Sequence, residues 1–107
     1  MKLYWILDEL LTPIDVHSDT YARWMLEQTA RGEMNLCLID RTEFPDGTLV
    51  STVFLGLNRS VTGPPVLFET KIFDPDGVAW PYRRVYRTYD EARAGHLRAR
   101  AYVHAQR

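Results

Sequence analysis

Two side chains in this 107-residue sequence have the chemistry of an acid/base pair: Glu69 in the run VLFETKIF at 66–73, and His96 in TYDEARAGHLRARAYVHAQ at 88–106. A carboxylate in an apolar strand is either a base with a raised pKa or the partner of a cation that fixes strand register. Lys71 shares its face by alternation, and an arginine from the next strand, such as Arg84, is the other candidate partner. Structural ion pairs outnumber catalytic carboxylates, and Glu69 is read as structural. His96 has no second His or Cys at i+3 or i+4, and His104, eight residues on, rotates to another side of the helix. It is read as a core histidine bonded to a backbone carbonyl or to Glu69, not as a ligand or base. His17 is read as a capping or surface residue. Cys37 is the single cysteine, without the Cys/His companions of a zinc site; it forms no intramolecular disulfide and fits a reducing cytosol. No cofactor fingerprint is present, and no metal site is expected.

Two further features have the chemistry of binding rather than catalysis. The polar connection NRSVTGPP at 58–65 places Asn58, Arg59, Ser60 and Thr62 where a loop on a rigid sheet contacts a ligand, and it could cradle an anion. It lacks the glycine density and following helix of a phosphate loop, and an ordinary strand connection is the simpler reading. Residues 83–107 carry seven arginines against Asp90 and Glu91, a balance of +5, which leaves −6 on residues 1–82. Arg84, Arg87, Arg93 and Arg100, interleaved with Tyr82, Tyr86, Tyr89 and Tyr102, form a candidate nucleic-acid contact. With a sequence pI of about 6.3, the same arginines are read first as neutralising the acidic part of the chain itself.

The elements that must position these residues follow from periodicity and punctuation. KLYWIL at 2–7 is a short strand, and the segment to Gly32 is a helix with Ser18 or Asp19 as N-cap. On that helix Tyr21, Trp24, Met25 and Gln28 share one face. From Leu36 the period becomes two: NLCLIDRTEF, a PDG turn and TLVSTVFLGL form a hairpin. Both faces of that second strand are fairly apolar, which predicts a central strand covered on both sides or nearly so. VLFETKIF is a third strand, DPDG a turn, and VAWPYRRVYR a fourth strand whose Pro81 assigns it to an edge or breaks it at its start. Thr88 and Glu91 form a capping box for a last helix with the apolar stripe Ala92, His96, Ala99 and Val103, and Gly95 beside it to permit close approach to the sheet. The expected fold is a single α+β domain over residues 1–107: an antiparallel meander of three to four strands with two helices packed on it, in two layers.

Three blocks, VSTVFLGLN at 50–58, GPPVLFETKIF at 63–73 and VYRTYDEARAGH at 85–96, resemble a family of small proteins encoded in bacteriophage and prophage genomes. The family pattern runs V-S-T-V-W-L-G-L-D-H, then G-P-P-L-x-F-E-T-M-V-F, then R-Y-x-T-x-x-E-A-x-x-G-H. The resemblance covers about half the chain, Val50 to His96, and implies a phage or prophage setting with little chemistry attached. Where that pattern has Asp-His, this chain has Asn58-Arg59; an amide and a guanidinium neither ligate a metal nor pass a proton well. Phe54 replaces a Trp, and Val85 replaces an Arg beside Arg84.

Together these readings favour a small non-enzymatic binding protein acting in the bacterial host cytoplasm on a host or phage macromolecule, for instance by interfering with a host defence. A protein partner is expected, without cofactor and without membrane; nucleic acid held by the C-terminal arginines is the second reading. An enzyme using Glu69 and His96 is the third.

Overall fold

The computed structural model describes residues 2–60 and 62–106 of the chain. Its elements run β1 (Trp5–Leu7), β2 (Pro13–Asp15), α1 (Ser18–Arg31), a 3-10 turn (Gly32–Met34), β3 (Leu38–Glu43), β4 (Leu49–Phe54), β5 (Phe68–Phe73), β6 (Ala79–Tyr86) and α2 (Tyr89–Ala105). The last four strands form one antiparallel sheet in chain order, and β1 with β2 forms a small second sheet. This is the expected α+β meander with two helices.

The hairpin turns at the two ends of the sequence run have the same design. In FPDGT at 44–48 and DPDGV at 74–78, the glycine N–H bonds back to the residue before proline, and the first and last residues close the ladder. Proline pre-sets the first turn position, and Gly47 (φ 95°) and Gly77 (φ 84°) take the left-handed position that aligns the strands. Asp46 and Asp74 accept from Thr48 and Val78 N–H, so each turn also carries its own side-chain brace. Pro81 sits in edge strand β6, where the register to β5 shifts between Lys71 and Phe73.

Helix α2 lies across all four strands. Its buried residues are Ala92, Gly95, His96, Ala99 and Val103, and its start has the capping box: Glu91 N–H donates to Thr88 Oγ1 (3.1 Å) and Thr88 N–H to Glu91 Oε1 (3.2 Å). Replacing Thr88 by alanine removes both the side-chain acceptor and the lock on Glu91, and costs about 1 kcal/mol in urea unfolding; a loss below the measurement error would remove this cap from the account. Trp24 and Gln28 are the buried residues of α1, flanked by half-buried Tyr21 and Met25, as their spacing requires. Trp24 meets Phe54 edge-on at 5.8 Å, and Phe54 meets Phe68 at 5.3 Å, a row of ring contacts joining α1 to the middle of the sheet. Each such pair adds about 0.5–1.5 kcal/mol beyond area burial.

Three local expectations are corrected. The N-cap of α1 is His17, whose Nδ1 accepts from Asp19 N–H at 3.2 Å, rather than Ser18 or Asp19. Strand β2 lies in the segment expected only to lead into that helix; the chain reverses at Leu11, with φ 62°, and pairs Pro13–Asp15 back on β1. Most consequentially, β4 is not covered on both sides. Val50, Thr52 and Phe54 face the helices and are buried, whereas Leu49, Ser51 and Val53 face away and are half-buried. Trp24 of α1 reaches the same face of β4 that α2 covers, so both helices share one layer and the opposite face of the sheet carries none. No described helix is long and apolar enough to cross a membrane.

Candidate interaction face

His96 is fully buried, at 0% exposure, and its ring is held by hydroxyls rather than by a backbone carbonyl or Glu69. Nδ1 lies 2.8 Å from Thr52 Oγ1 and Nε2 lies 2.9 Å from Thr42 Oγ1. Thr52 Oγ1 is 2.6 Å from Thr70 Oγ1, which accepts from the Tyr86 hydroxyl at 3.1 Å. The ladder therefore takes one side chain from each strand of the sheet and one from α2. With Tyr86 donating to Thr70, one continuous direction runs from Thr70 to Thr52 and from Thr52 to Nδ1, with Nε2–H donating to Thr42, and gives both ring nitrogens a partner. Every polar atom is satisfied, as it is for all buried side-chain polar atoms among the described residues. Burial pushes the His96 pKa below the usual imidazole value; the Asp40 carboxylate, 3.8 Å from Nε2, works against this, and the Arg100 and Arg93 guanidiniums add to it.

Glu69 is on the other side of the sheet. Thr70, its neighbour, points into the hydroxyl ladder, so by alternation Glu69 points away from it. Its partner is Arg83, in contact through Nε and Oε2: an arginine of the next strand, as expected, though Arg83 and not Arg84, and not Lys71. Parity explains which arginine it is. Arg84 is opposite Thr70 and so shares the helix-side face, whereas Arg83 is opposite Lys71 on the face that Glu69 occupies. A sheet separates the two groups that a Glu69–His96 pair would need to bring together.

In the 58–65 loop, Asn58 is buried (6% exposed) and acts on the backbone: Oδ1 accepts from Ser60 N–H at 3.0 Å and Val66 N–H at 3.4 Å, and Nδ2 donates to Lys2 O at 3.4 Å. Asn58 is thus a loop brace. Ser60 Oγ donates to Thr62 O at 2.6 Å, Thr62 is exposed, and Val61 lies outside the described residues. Arg59 and Ser60 reach a cavity of about 250 Å³ shared with Leu55, Val66, Glu69, Arg83 and Val85.

The C-terminal arginines do not gather on one surface. Arg84 of edge strand β6 lies over the Tyr82 ring at 4.4 Å, with Arg98 of α2 near the same ring, while Arg93 lies 3.8 Å from Asp40 of β3, the opposite edge. Arg100 borders a shallow cavity with Phe44, Leu97 and His104, Arg87 is exposed between β6 and α2, and Arg107 lies outside the described residues. Two of the set, Arg83 and Arg93, pair with acidic residues of the first 82, which is the internal neutralisation expected from the charge asymmetry.

What the registers do assemble is the uncovered face of the sheet. Reading across β3, β4, β5 and β6, one row is Glu43, Leu49, Phe73 and Ala79; the next is Arg41, Ser51, Lys71 and Arg83; the third is Leu38, Val53, Glu69 and Val85. A basic band thus crosses the sheet between two mainly apolar rows. At the β3 end, Asn35, Cys37, Leu38, Arg41, Ser51 and Val53 line a second cavity of about 710 Å³. Burial pushes the Cys37 thiol above its usual pKa, which keeps it protonated and a weak nucleophile. Among the described residues, no three His, Cys, Asp or Glu side chains come together to hold a metal. Arg41, Ser51 and Val53 were not among the sequence-derived candidates, and Lys71 was one only as a partner for Glu69; strand alternation marks each as a face residue, but only the pairing register joins them. No family model matches the chain, and no curated protein or solved structure matches it.

Proposed function

We propose that this chain is a small non-enzymatic binding protein of phage or prophage origin that acts in the bacterial cytoplasm by occupying a host or phage protein through the uncovered face of its sheet. The observation that carries the reading is that face itself: four strands present half-buried Leu38, Leu49, Val53 and Phe73 and exposed Val85 with no helix over them. A contiguous apolar face with a polar band is the composition of a contact surface rather than of ordinary solvated sheet. The loop at 58–65 extends this surface through Arg59 and Ser60. The phage setting rests on the three sequence blocks, and interference with a host defence is the use that such a setting favours. Catalysis by Glu69 and His96 has no support from their placement on opposite faces, and nucleic-acid binding by the C-terminal arginines has none from their separation.

The test is affinity capture from nuclease-treated bacterial lysate with the tagged protein, its Val53→Gln/Val85→Gln variant and an Arg98→Glu variant, each first checked for folding by circular dichroism. A protein retained by the parent and by Arg98→Glu, and lost from the Val53/Val85 variant, is the expected outcome. Capture that ignores the sheet substitutions and depends on Arg98 would move the contact surface to α2 and sink the proposal.

A further inference from the structure

Resting on the reading of the uncovered sheet face as a contact surface, we infer that its occupant is an acidic segment of a partner protein with apolar side chains interspersed among its carboxylates. The cations of the face are Arg41, Lys71 and Arg83 in the basic band and Arg59 at its rim, against Glu43 and Glu69 on the strands and Glu33 at the rim of the cavity that Arg41 lines. Glu69 is committed to Arg83, while Arg41, Lys71 and Arg59 have no carboxylate within ion-pair distance among the described residues. The band crosses four strands, so its charged ends lie about 14 Å apart at the usual strand spacing. Leu49 and Phe73 flank it on one side, Val53 and Val85 on the other. A complementary segment therefore needs carboxylates along its middle and apolar side chains to both sides. A cation left without an intramolecular partner on a half-buried apolar floor favours an anionic occupant over a neutral one, because opposite charges across an interface set both specificity and encounter rate.

The other occupants fit less well. Among the strand residues that form the three rows of this face, Phe73 is the one aromatic; Phe54, Phe68, Tyr82 and Tyr86 point from the same strands to the helix side. Single-stranded nucleic acid needs aromatic platforms for its bases, and a lone Phe supplies one at most. A second copy of the chain, docked face to face about a two-fold axis, would oppose one basic band to its identical counterpart.

The test uses fluorescence anisotropy with four labelled probes: an amphipathic Glu/Leu peptide, its Gln/Leu counterpart, polyglutamate and oligo-dT. The Glu/Leu peptide should bind the full chain, weaken with added salt and lose about tenfold or more in affinity to Lys71→Glu and to Arg41→Glu. Lys71→Gln, a milder change if the charge reversal disturbs folding, should lose less but in the same direction, and Arg98→Glu should bind as the parent does. Amide shifts in a heteronuclear NMR titration should map to β3, β4 and β5. Equal binding of the Gln/Leu peptide, tighter binding of oligo-dT, indifference to Lys71, or no binding by any probe each overturns the inference. If the Glu/Leu peptide fails while the Val53→Gln/Val85→Gln variant still loses lysate capture, the sheet face remains the contact surface and the acidic occupant alone is discarded.

Discussion

Gly95→Ala destabilises the protein by about 2–3 kcal/mol, although glycine-to-alanine in a helix interior ordinarily stabilises by about 1 kcal/mol. The inversion comes from one contact. A Cβ at position 95 would overlap the Cζ, Cε1 and hydroxyl of Tyr86, far inside van der Waals separation. The ring has little freedom to move, because it is 8% exposed, packs in the cluster with Phe54, Phe68 and Ala92, and donates its hydroxyl to Thr70. Either α2 lifts from the sheet or Tyr86 leaves its place, and each gives up buried contacts along with a ladder hydrogen bond worth about 1 kcal/mol. In thermal unfolding followed by circular dichroism the midpoint should fall by roughly 10–20 °C. Gly95→Ala combined with Tyr86→Leu should cost less than the sum of the two single changes, with a coupling of about 1 kcal/mol or more, since the truncated side chain vacates the volume. A higher midpoint for Gly95→Ala alone would mean that the helix stands farther from β6 than this packing requires.

Gly95 is also a measure of what the sequence discloses. Its place beside the stripe Ala92, His96, Ala99 and Val103 announces close approach to a sheet, because helical period and small side chains are local properties. The same holds for the capping box at Thr88, the paired PDG turns and the edge position of Pro81. What local pattern does not contain is the partner across a register. His96 reads as a buried histidine, but Thr42, Thr52, Thr70 and Tyr86 come from four strands whose alignment decides that hydroxyls, rather than a carbonyl or Glu69, meet its ring. Glu69 reads as an ion-pair carboxylate, and a one-residue parity separates Arg83 from Arg84. The candidate face was the least legible part. Leu49, Val53 and Leu55 look like half of a doubly covered strand, and nothing within β4 says that the chain supplies helices to one side only. Arg41, Lys71 and Arg83 come from three strands and form a band only when those strands are laid side by side, whereas the arginines that cluster in sequence near the C-terminus disperse to opposite edges of the sheet.

The hydroxyl ladder makes stability depend on pH with a sign fixed by His96. Above a pH of about 6.5, the ordinary imidazole value, the ring is neutral in both folded and unfolded chains and the ladder is intact. As pH falls below that value, the unfolded chain takes up a proton that the buried ring resists, so the unfolded state gains relative to the folded one. Protonation in the fold would also force Nδ1 to donate, which requires Thr52 to accept from the ring and to turn its own hydroxyl hydrogen toward Thr70. The charged groups around the ring are Asp40 from β3, which favours the charged form, and Arg93 and Arg100 on α2, which oppose it; burial is the largest influence and, with the arginines, outweighs Asp40. Unfolding free energy from urea titration should therefore decline between pH 7.5 and 5.5 by at most about 1.4 kcal/mol per unit, and level off once pH passes below the depressed folded-state pKa. His96→Gln keeps an amide donor and acceptor in the ladder but removes the titration. It should lose about 1–3 kcal/mol at pH 7.5 through imperfect geometry, and should show a flatter profile below 6.5. An unchanged slope in His96→Gln would assign the pH dependence to other groups and leave the ladder with a purely structural part.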